Sequence, residues 1–258
     1  MSAHEPTILA MGGGGFTMEP DNPALDDFAL ALTSVREPQV LFLPTASGDP
    51  AAQIQAFQNR FGGRACRPDV LSLFRRGDST RSLAEIVGAA DLIYVGGGSM
   101  RNLLAIWRAH GLDTCLHEAW QSGTVLAGLS AGAMCWFEGG VSKSFGAPVT
   151  IEGLGWLPGS LTVHADGEPE RLPVWLDAVR SGDLPGGWAA DDGVGLLWRG
   201  TQLERIVASR PGTTALRVDA VGGELVRSRR TPELLGQPAR GAVPDDVLEL
   251  RDVLRRRR

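Results

Sequence analysis

Over the first half of the chain, short apolar runs alternate with stretches whose apolar positions recur at helical spacing. This is the pattern of βαβ units around a parallel sheet. Thr7–Met11 predicts a buried strand that stops at the glycine run Gly12 to Gly15. Helical spacing over Ala24–Val35 leads to a strand over Val40–Leu43, closed by Pro44. A helix over Ala51–Phe61 and a third strand over Val70–Leu73 follow. Leu83–Ala89 predicts a short helix, and Leu92–Val95 a fourth strand ending on Gly96-Gly97-Gly98. Helices over Met100–Arg108 and Leu112–Gln121 precede a fifth strand, Thr124–Leu129. These strands are apolar almost throughout, as strands covered on both faces must be.

The second half changes character. Gly, Pro and Trp become frequent between Gly139 and Gly195, with a helix predicted at Pro169–Val179. Alternating strands are predicted at Val194–Trp198, Leu203–Ala208, Ala215–Val218 and Glu224–Arg227, the last two joined by a hairpin turn at Gly222-Gly223. They read as antiparallel edge strands that complete the same sheet. The expected organisation is one α/β domain over residues 1–258, with the basic run Arg255 to Arg258 as a frayed tail.

Composition narrows the setting. The chain has 258 residues, 43% hydrophobic and 21% charged, with a net charge of −5. That is ordinary globular composition and offers no footprint for nucleic acid. No apolar run reaches the roughly 18–20 residues that span a bilayer. Met1 to Pro6 lacks the basic-then-apolar design of a secretory signal. Cys66, Cys115 and Cys135 are widely spaced and form no Cys-x-x-Cys pair, which points to free thiols in a reducing compartment. A soluble cytoplasmic protein is expected.

The chemistry concentrates in Gly128-Leu129-Ser130-Ala131-Gly132, which leaves the fifth strand directly and opens a segment, Ala131–Phe137, that can be helical. A tight strand-to-helix turn exposes a nucleophilic oxygen and needs small residues on both sides. The helix start then brings the Ala131 amide to a developing oxyanion. A serine nucleophile needs a base, and the chain has four histidines. His4 lies at the very start, and His110 and His117 lie in or beside helices. His164 ends a short apolar strand that runs into the polar loop Ala165-Asp166-Gly167, so it is the candidate base. Gly96-Gly97-Gly98-Ser99 is the candidate for the second oxyanion donor. A phosphate cradle or a plain tight turn is the alternative for it and for Gly12 to Gly15, although the latter lacks the lysine and spacing of a nucleotide loop.

Tyr94-Val95-Gly96-Gly97-Gly98-Ser99, then Gly128-Leu129-Ser130-Ala131-Gly132-Ala133, then His164, resembles the peptidase E family of serine peptidases. The likeness runs from Phe42-Leu43-Pro44-Thr45-Ala46 through Asp191-Asp192-Gly193. It implies a three-layer α/β/α sandwich, akin to class I glutamine amidotransferase domains, with a mostly parallel central sheet and antiparallel edge strands near the C-terminus. It implies Ser130 as nucleophile, His164 as base, and Gly98 and Ala131 as the oxyanion hole. The founding members of that family cleave dipeptides with N-terminal aspartate, and the related cyanophycinases cut aspartate–arginine polymers. The third triad member departs from the family pattern. Relatives carry an acid near Ser142-Lys143-Ser144-Phe145, where this chain has Lys143, its sole lysine. Asp166 is the first candidate instead, because residues two apart in an extended chain project to one side; Asp192 is the second. Lys143 is either an auxiliary cation or a solvated loop residue.

For substrate, Arg171 is the candidate for an aspartate carboxylate, with Ser99, Glu168 and Glu170 as further candidate contacts or, for the two glutamates, a charged helix start. The expected activity is hydrolysis of short peptides, without metal or cofactor, by a monomer or homodimer. Two other readings stay open. One is an esterase or amidase of another serine-hydrolase type, though α/β-hydrolases place their histidine last, after the acid. The other is a ligand-binding module that has lost its activity.

Overall fold

The computed structural model describes residues 5–75, 80–144 and 146–236. The arginine run at the C-terminus, His4 and Phe145 lie outside the described residues. Strand β1 (Thr7–Met11) opens the chain, followed by helices α1 (Gly15–Met18) and α2 (Ala24–Ala31) and strand β2 (Gln39–Leu43). Next come α3 (Ala51–Phe61), β3 (Arg67–Val70), α4 (Leu83–Gly88), β4 (Leu92–Val95), α5 (Met100–His110), α6 (Leu112–Gln121) and β5 (Val125–Leu129). Strands β1, β5, β4, β2 and β3 lie side by side in that order, all parallel.

Alternate side chains of these strands point to opposite faces, and both faces are covered. Ile8, Leu41, Ile93 and Leu126 meet α5 and α6 through Leu103, Trp107, Leu112 and Leu116. Leu9, Phe42, Tyr94 and Ala127 meet α2 and α3 through Leu25, Phe57 and Phe61. This is the expected α/β/α layering, and it explains why the central strands carry no polar face. The predicted strand over Val70–Leu73 sits three residues earlier, at Arg67–Val70. It pairs on one side with β2, so its exposed positions tolerate Arg67 and Asp69, and Pro68 is acceptable on such an edge. Only Leu71 and Leu73, just past it, are buried.

After α7 (Ala131–Met134) the chain builds β6 (Phe137–Ser142), β7 (Val149–Glu152), β8 (Leu157–Thr162), α8 (Arg171–Ser181), β9 (Gly187–Ala190), β10 (Val194–Arg199), β11 (Gln202–Ala208), β12 (Ala215–Val221), β13 (Glu224–Arg230) and β14 (Glu233–Leu234). The expectation of one sheet is corrected here. β10 and β11 do extend the first sheet, with β10 antiparallel beside β1. β12 and β13, the hairpin turning at Gly222-Gly223, join a second sheet ordered β13-β12-β9-β8-β6-β7. The alternation of apolar residues identifies a strand but not the sheet that receives it. The helical reading of Ala131–Phe137 also shortens, because the chain is already strand at Phe137. One side of the second sheet, through Phe137, Leu161 and Trp188, shares a core with Leu126 and Trp107 of the first layer pair. Its other side is covered by α8 through Trp175 and Val179.

Candidate active site

Ser130 leaves the C-terminal end of β5, between the ends of β1 and β4. Its backbone holds φ 54 and ψ −113, outside the ordinary regions for a side-chain-bearing residue. Such a conformation costs on the order of 1–3 kcal/mol and persists only where the surroundings enforce it. The two glycines of the motif show how. A Cβ on Gly128 would lie 2.1 Å from the Gly132 carbonyl oxygen, and one on Gly132 would lie 2.5 Å from that of Val95. The turn is thus closed backbone to backbone against β4, and it aims Ser130 Oγ outward.

The second sheet brings the partners. β8 and β9 are parallel neighbours, with Thr162 beside Ala189. His164 follows β8 and Asp192 follows β9. His164 Nε2 is 2.8 Å from Ser130 Oγ, and Nδ1 is 2.5 Å from Asp192 Oδ1. The His164 and Asp192 side chains are 13% and 17% exposed, enough shelter to strengthen their contact without isolating it from water. The Gly12–Gly15 run acquires a reason as well. A Cβ at Gly13 would fall 2.0 Å from Asp192 Oδ1 and 3.0 Å from His164 Cε1, so the bare backbone of this loop backs the pair.

The carboxylate that meets the imidazole is that of Asp192, the second candidate acid, and not that of Asp166, the first. The reasoning assumed an extended chain after His164. Instead His164 has φ 55, and its carbonyl accepts from the amides of Gly167 and Glu168, so the segment turns. Asp166 points away from the imidazole: Oδ1 accepts the Asp192 amide at 2.8 Å, and Oδ2 accepts from Arg210 at 2.9 Å. Arg210, in the turn Ser209-Arg210-Pro211-Gly212, carries no motif that would have singled it out.

A cavity of about 380 Å³ opens at Ser130, and Gly98, Met134, Lys143, His164, Glu168 and Arg171 help to line it. Gly98 therefore stands where an oxyanion donor is expected, and Ala131 opens α7, whose first amides have no acceptor within the helix. Ser99 does not line the cavity; its hydroxyl caps α5 by accepting the Asn102 amide at 3.3 Å. Arg171 is buried and already engaged, donating to the Val141 carbonyl at 3.1 Å and to Glu168 at 2.7 Å. Lys143 pairs with Glu170, whose carboxylate raises the lysine pKa and is itself lowered by it. Lys143 is thus a cation in the cavity wall, held by Glu170.

The cysteines offer no rival nucleophile. All three are free thiols. Burial pushes each of their pKa values up, that of Cys135 furthest, and its thiol donates to the Gly132 carbonyl at 3.2 Å. A thiol held protonated is a poor nucleophile. Among the described residues, no group of three or more His, Cys, Asp and Glu side chains gathers as a metal site would. No described helix is long and apolar enough to cross a membrane.

The profile of Peptidase family S51 matches residues 8–206, which includes Ser130, His164 and Asp192. The chain belongs to peptidase family S51. This S51 chain is 48% identical over 211 residues to an uncharacterized peptidase, YgaJ, of Bacillus subtilis strain 168, an alignment covering 82% of the chain and 91% of that protein. Its fold is shared with a crystallised peptidase from an acI-B1 actinobacterium, with a TM-score of 0.69 at 21% identity over 92% of this chain and 97% of that one. It is shared more distantly with a putative peptidase E protein from Listeria monocytogenes EGD-e, with a TM-score of 0.54 at 15% identity over 88% and 100% of the two chains. S51 is a family of peptidases, so the reaction class is peptide-bond hydrolysis.

Proposed function

We propose that the chain is a serine peptidase that hydrolyses short peptides through an acyl-enzyme on Ser130. The observation that carries this reading is the unbroken line from Ser130 Oγ to His164 Nε2 and from Nδ1 to Asp192, at 2.8 and 2.5 Å. In the first half-reaction His164 takes the serine proton as Oγ attacks the scissile carbonyl carbon. The negative charge that develops on the carbonyl oxygen is met by the amides of Gly98 and Ala131. His164 returns the proton to the departing amine, leaving an ester on Ser130. Water, deprotonated by the same imidazole, then releases the acid product and restores the serine. Asp192 holds the imidazole in the tautomer that accepts at Nε2 and steadies the cation formed in between.

A cavity near the small end of the ligand-site range suits a dipeptide better than a folded chain. Its wall carries Lys143 and Arg171 beside Glu168, so the substrate assigned to it is a dipeptide with N-terminal aspartate. The substrate carboxylate would share the cations, and its ammonium would meet Glu168. Both cations already have carboxylate partners, Glu170 for Lys143 and Glu168 for Arg171, so the substrate carboxylate would enter an existing charge network.

Two measurements test the reading. A fluorophosphonate should label Ser130 in the wild type and not in Ser130→Ala, and an Asp-X dipeptide should be cleaved faster than its Ala-X counterpart. Activity above about one per cent of wild type in Ser130→Ala rejects the nucleophile, because loss of a triad serine costs far more. Equal rates on Asp-X and Ala-X reject the aspartate preference and leave the rest intact.

A further inference from the structure

Asp192 hangs from a loop, and the two peptide units that flank it are each held by a side chain that does not touch the imidazole. Asp166 Oδ1 accepts the Asp192 amide at 2.8 Å. Arg210 donates from Nε to the Asp192 carbonyl at 3.1 Å, and from a terminal nitrogen to Asp166 Oδ2 at 2.9 Å. Carboxylate, peptide and guanidinium thereby close a ring around the backbone of the residue that meets His164. Further contacts anchor the ring. Glu19 lies 3.9 Å from Arg210 Nε and accepts from Ser209 Oγ at 2.6 Å, while the Ser209 amide donates to the Gly193 carbonyl at 2.9 Å.

As an ion pair this arrangement would add little to stability. Arg210 is 44% and Asp166 38% exposed, and water screens pairs so placed. As a positional device it addresses a specific need. Gly193, next in the chain, has φ 82 and donates to the Gly13 carbonyl at 3.2 Å, so the backbone turns sharply just past Asp192 and its direction depends on what holds that turn. On the other side, Gly13 leaves Asp192 Oδ1 room only for a bare backbone. A small rotation of the 192 peptide either presses the carboxylate into that backbone or pulls it away from Nδ1.

We propose that Asp166 and Arg210 are positioning residues, which lock the peptide units on either side of Asp192 so that its carboxylate stays on His164. The proposal rests on the serine-peptidase reading of the site. It differs from a simple field effect in sign. The charged groups around the imidazole are Asp192, Asp166 and Arg210 on the loop side, and Lys143, Glu168 and Arg171 on the cavity side. Removing the Arg210 cation by its field alone favours the imidazolium, and so raises the midpoint of the low-pH limb of any reaction that needs the neutral ring. Letting the Asp192 carboxylate drift away disfavours the imidazolium and lowers that midpoint.

The test is the rate of fluorophosphonate labelling of Ser130 against pH, in wild type, Arg210→Met, Arg210→Lys, Asp166→Ala and Asp166→Asn. Arg210→Met should label about 10- to 100-fold more slowly, the scale expected for small misplacements of a reacting group, with its midpoint moved down. Arg210→Lys should stay slower than wild type, because a point charge cannot span both acceptors. Asp166→Asn should be milder than Asp166→Ala, since its amide oxygen still accepts from the Asp192 amide, and near-ultraviolet circular dichroism confirms that each variant is folded. An upward midpoint in Arg210→Met, or full recovery in Arg210→Lys, overturns the proposal. So does a wild-type rate and midpoint in the folded alanine variant. A wild type that does not label at all removes the serine-peptidase reading itself, a separate and recognisable outcome.

Discussion

The charge that an imidazolium at position 164 would need comes from Asp192, 2.5 Å away. Replacing that carboxylate by its amide preserves shape and removes charge, so Asp192→Asn should lower turnover by about 10⁴, as amide replacement of a triad aspartate does. Comparison with wild type on one dipeptide at saturating concentration checks this, and a loss under 10-fold would count against Asp192. Lys143→Asp is the complementary test, since it places an acid in the segment where relatives have one. Nδ1 is already occupied, and Lys143 is bound to Glu170, so the substitution should bring no gain. A large gain would mean that the site uses a different acid from the one now facing the ring.

At the level of elements, the turn between β5 and α7 depends on backbone meeting backbone, which no side-chain repacking can relieve. Gly132→Ala should therefore destabilise the protein by roughly 3 kcal/mol or more, at the upper end of ordinary overpacking. Gly88→Ala is the control. Gly88 ends α4 with open space where its Cβ would go, so alanine there should be neutral or gain up to about 1 kcal/mol. Urea midpoints of the two variants decide it; similar values would show that the β5–α7 turn is looser than its contacts imply. The same element logic explains why Ala51–Phe61, Leu92–Val95 and Leu112–Gln121 are legible residue for residue in the sequence. The two helices each bury one face at helical spacing, and Leu92–Val95 is an unbroken apolar run buried on both faces. β6, β7 and β9 are short, rich in glycine or exposed, and offered no period to read.

Across the whole molecule, one buried carboxylate joins three elements on the α2–α3 face. Asp26 of α2 is fully buried, accepts from Tyr94 Oη of β4 at 2.9 Å, and has Arg60 Nε of α3 3.0 Å from Oδ2. Burial raises its pKa to about 6, outweighing the lowering by Tyr94 and then Arg60. A folded-state pKa above the unfolded 3.8 means that the native state holds the proton more tightly. This contribution is complete below about pH 4 and is lost as pH rises through about 6, and it amounts to about 3 kcal/mol. Wild type should lose that much stability relative to Asp26→Asn between pH 4 and 7 in urea titrations. Parallel curves for the two proteins would refute it.

What the sequence determined by itself is local. Apolar runs and helical spacing defined most elements of the first layer, because burial on two faces leaves a chain little choice of residue. Gly-x-Ser-x-Gly after a strand marked Ser130, because small residues at that turn are a steric necessity. Which of Asp166 and Asp192 meets His164, the separation into two sheets and the place of the Gly12 to Gly15 run against Asp192 were decided by tertiary structure alone. Each depends on two segments far apart in sequence meeting in space. The Asp192 loop comes to rest against Gly13, and the turn after His164 sends Asp166 to the Asp192 backbone. Periodicity along one segment records which side of it is buried, but not which distant segment buries it.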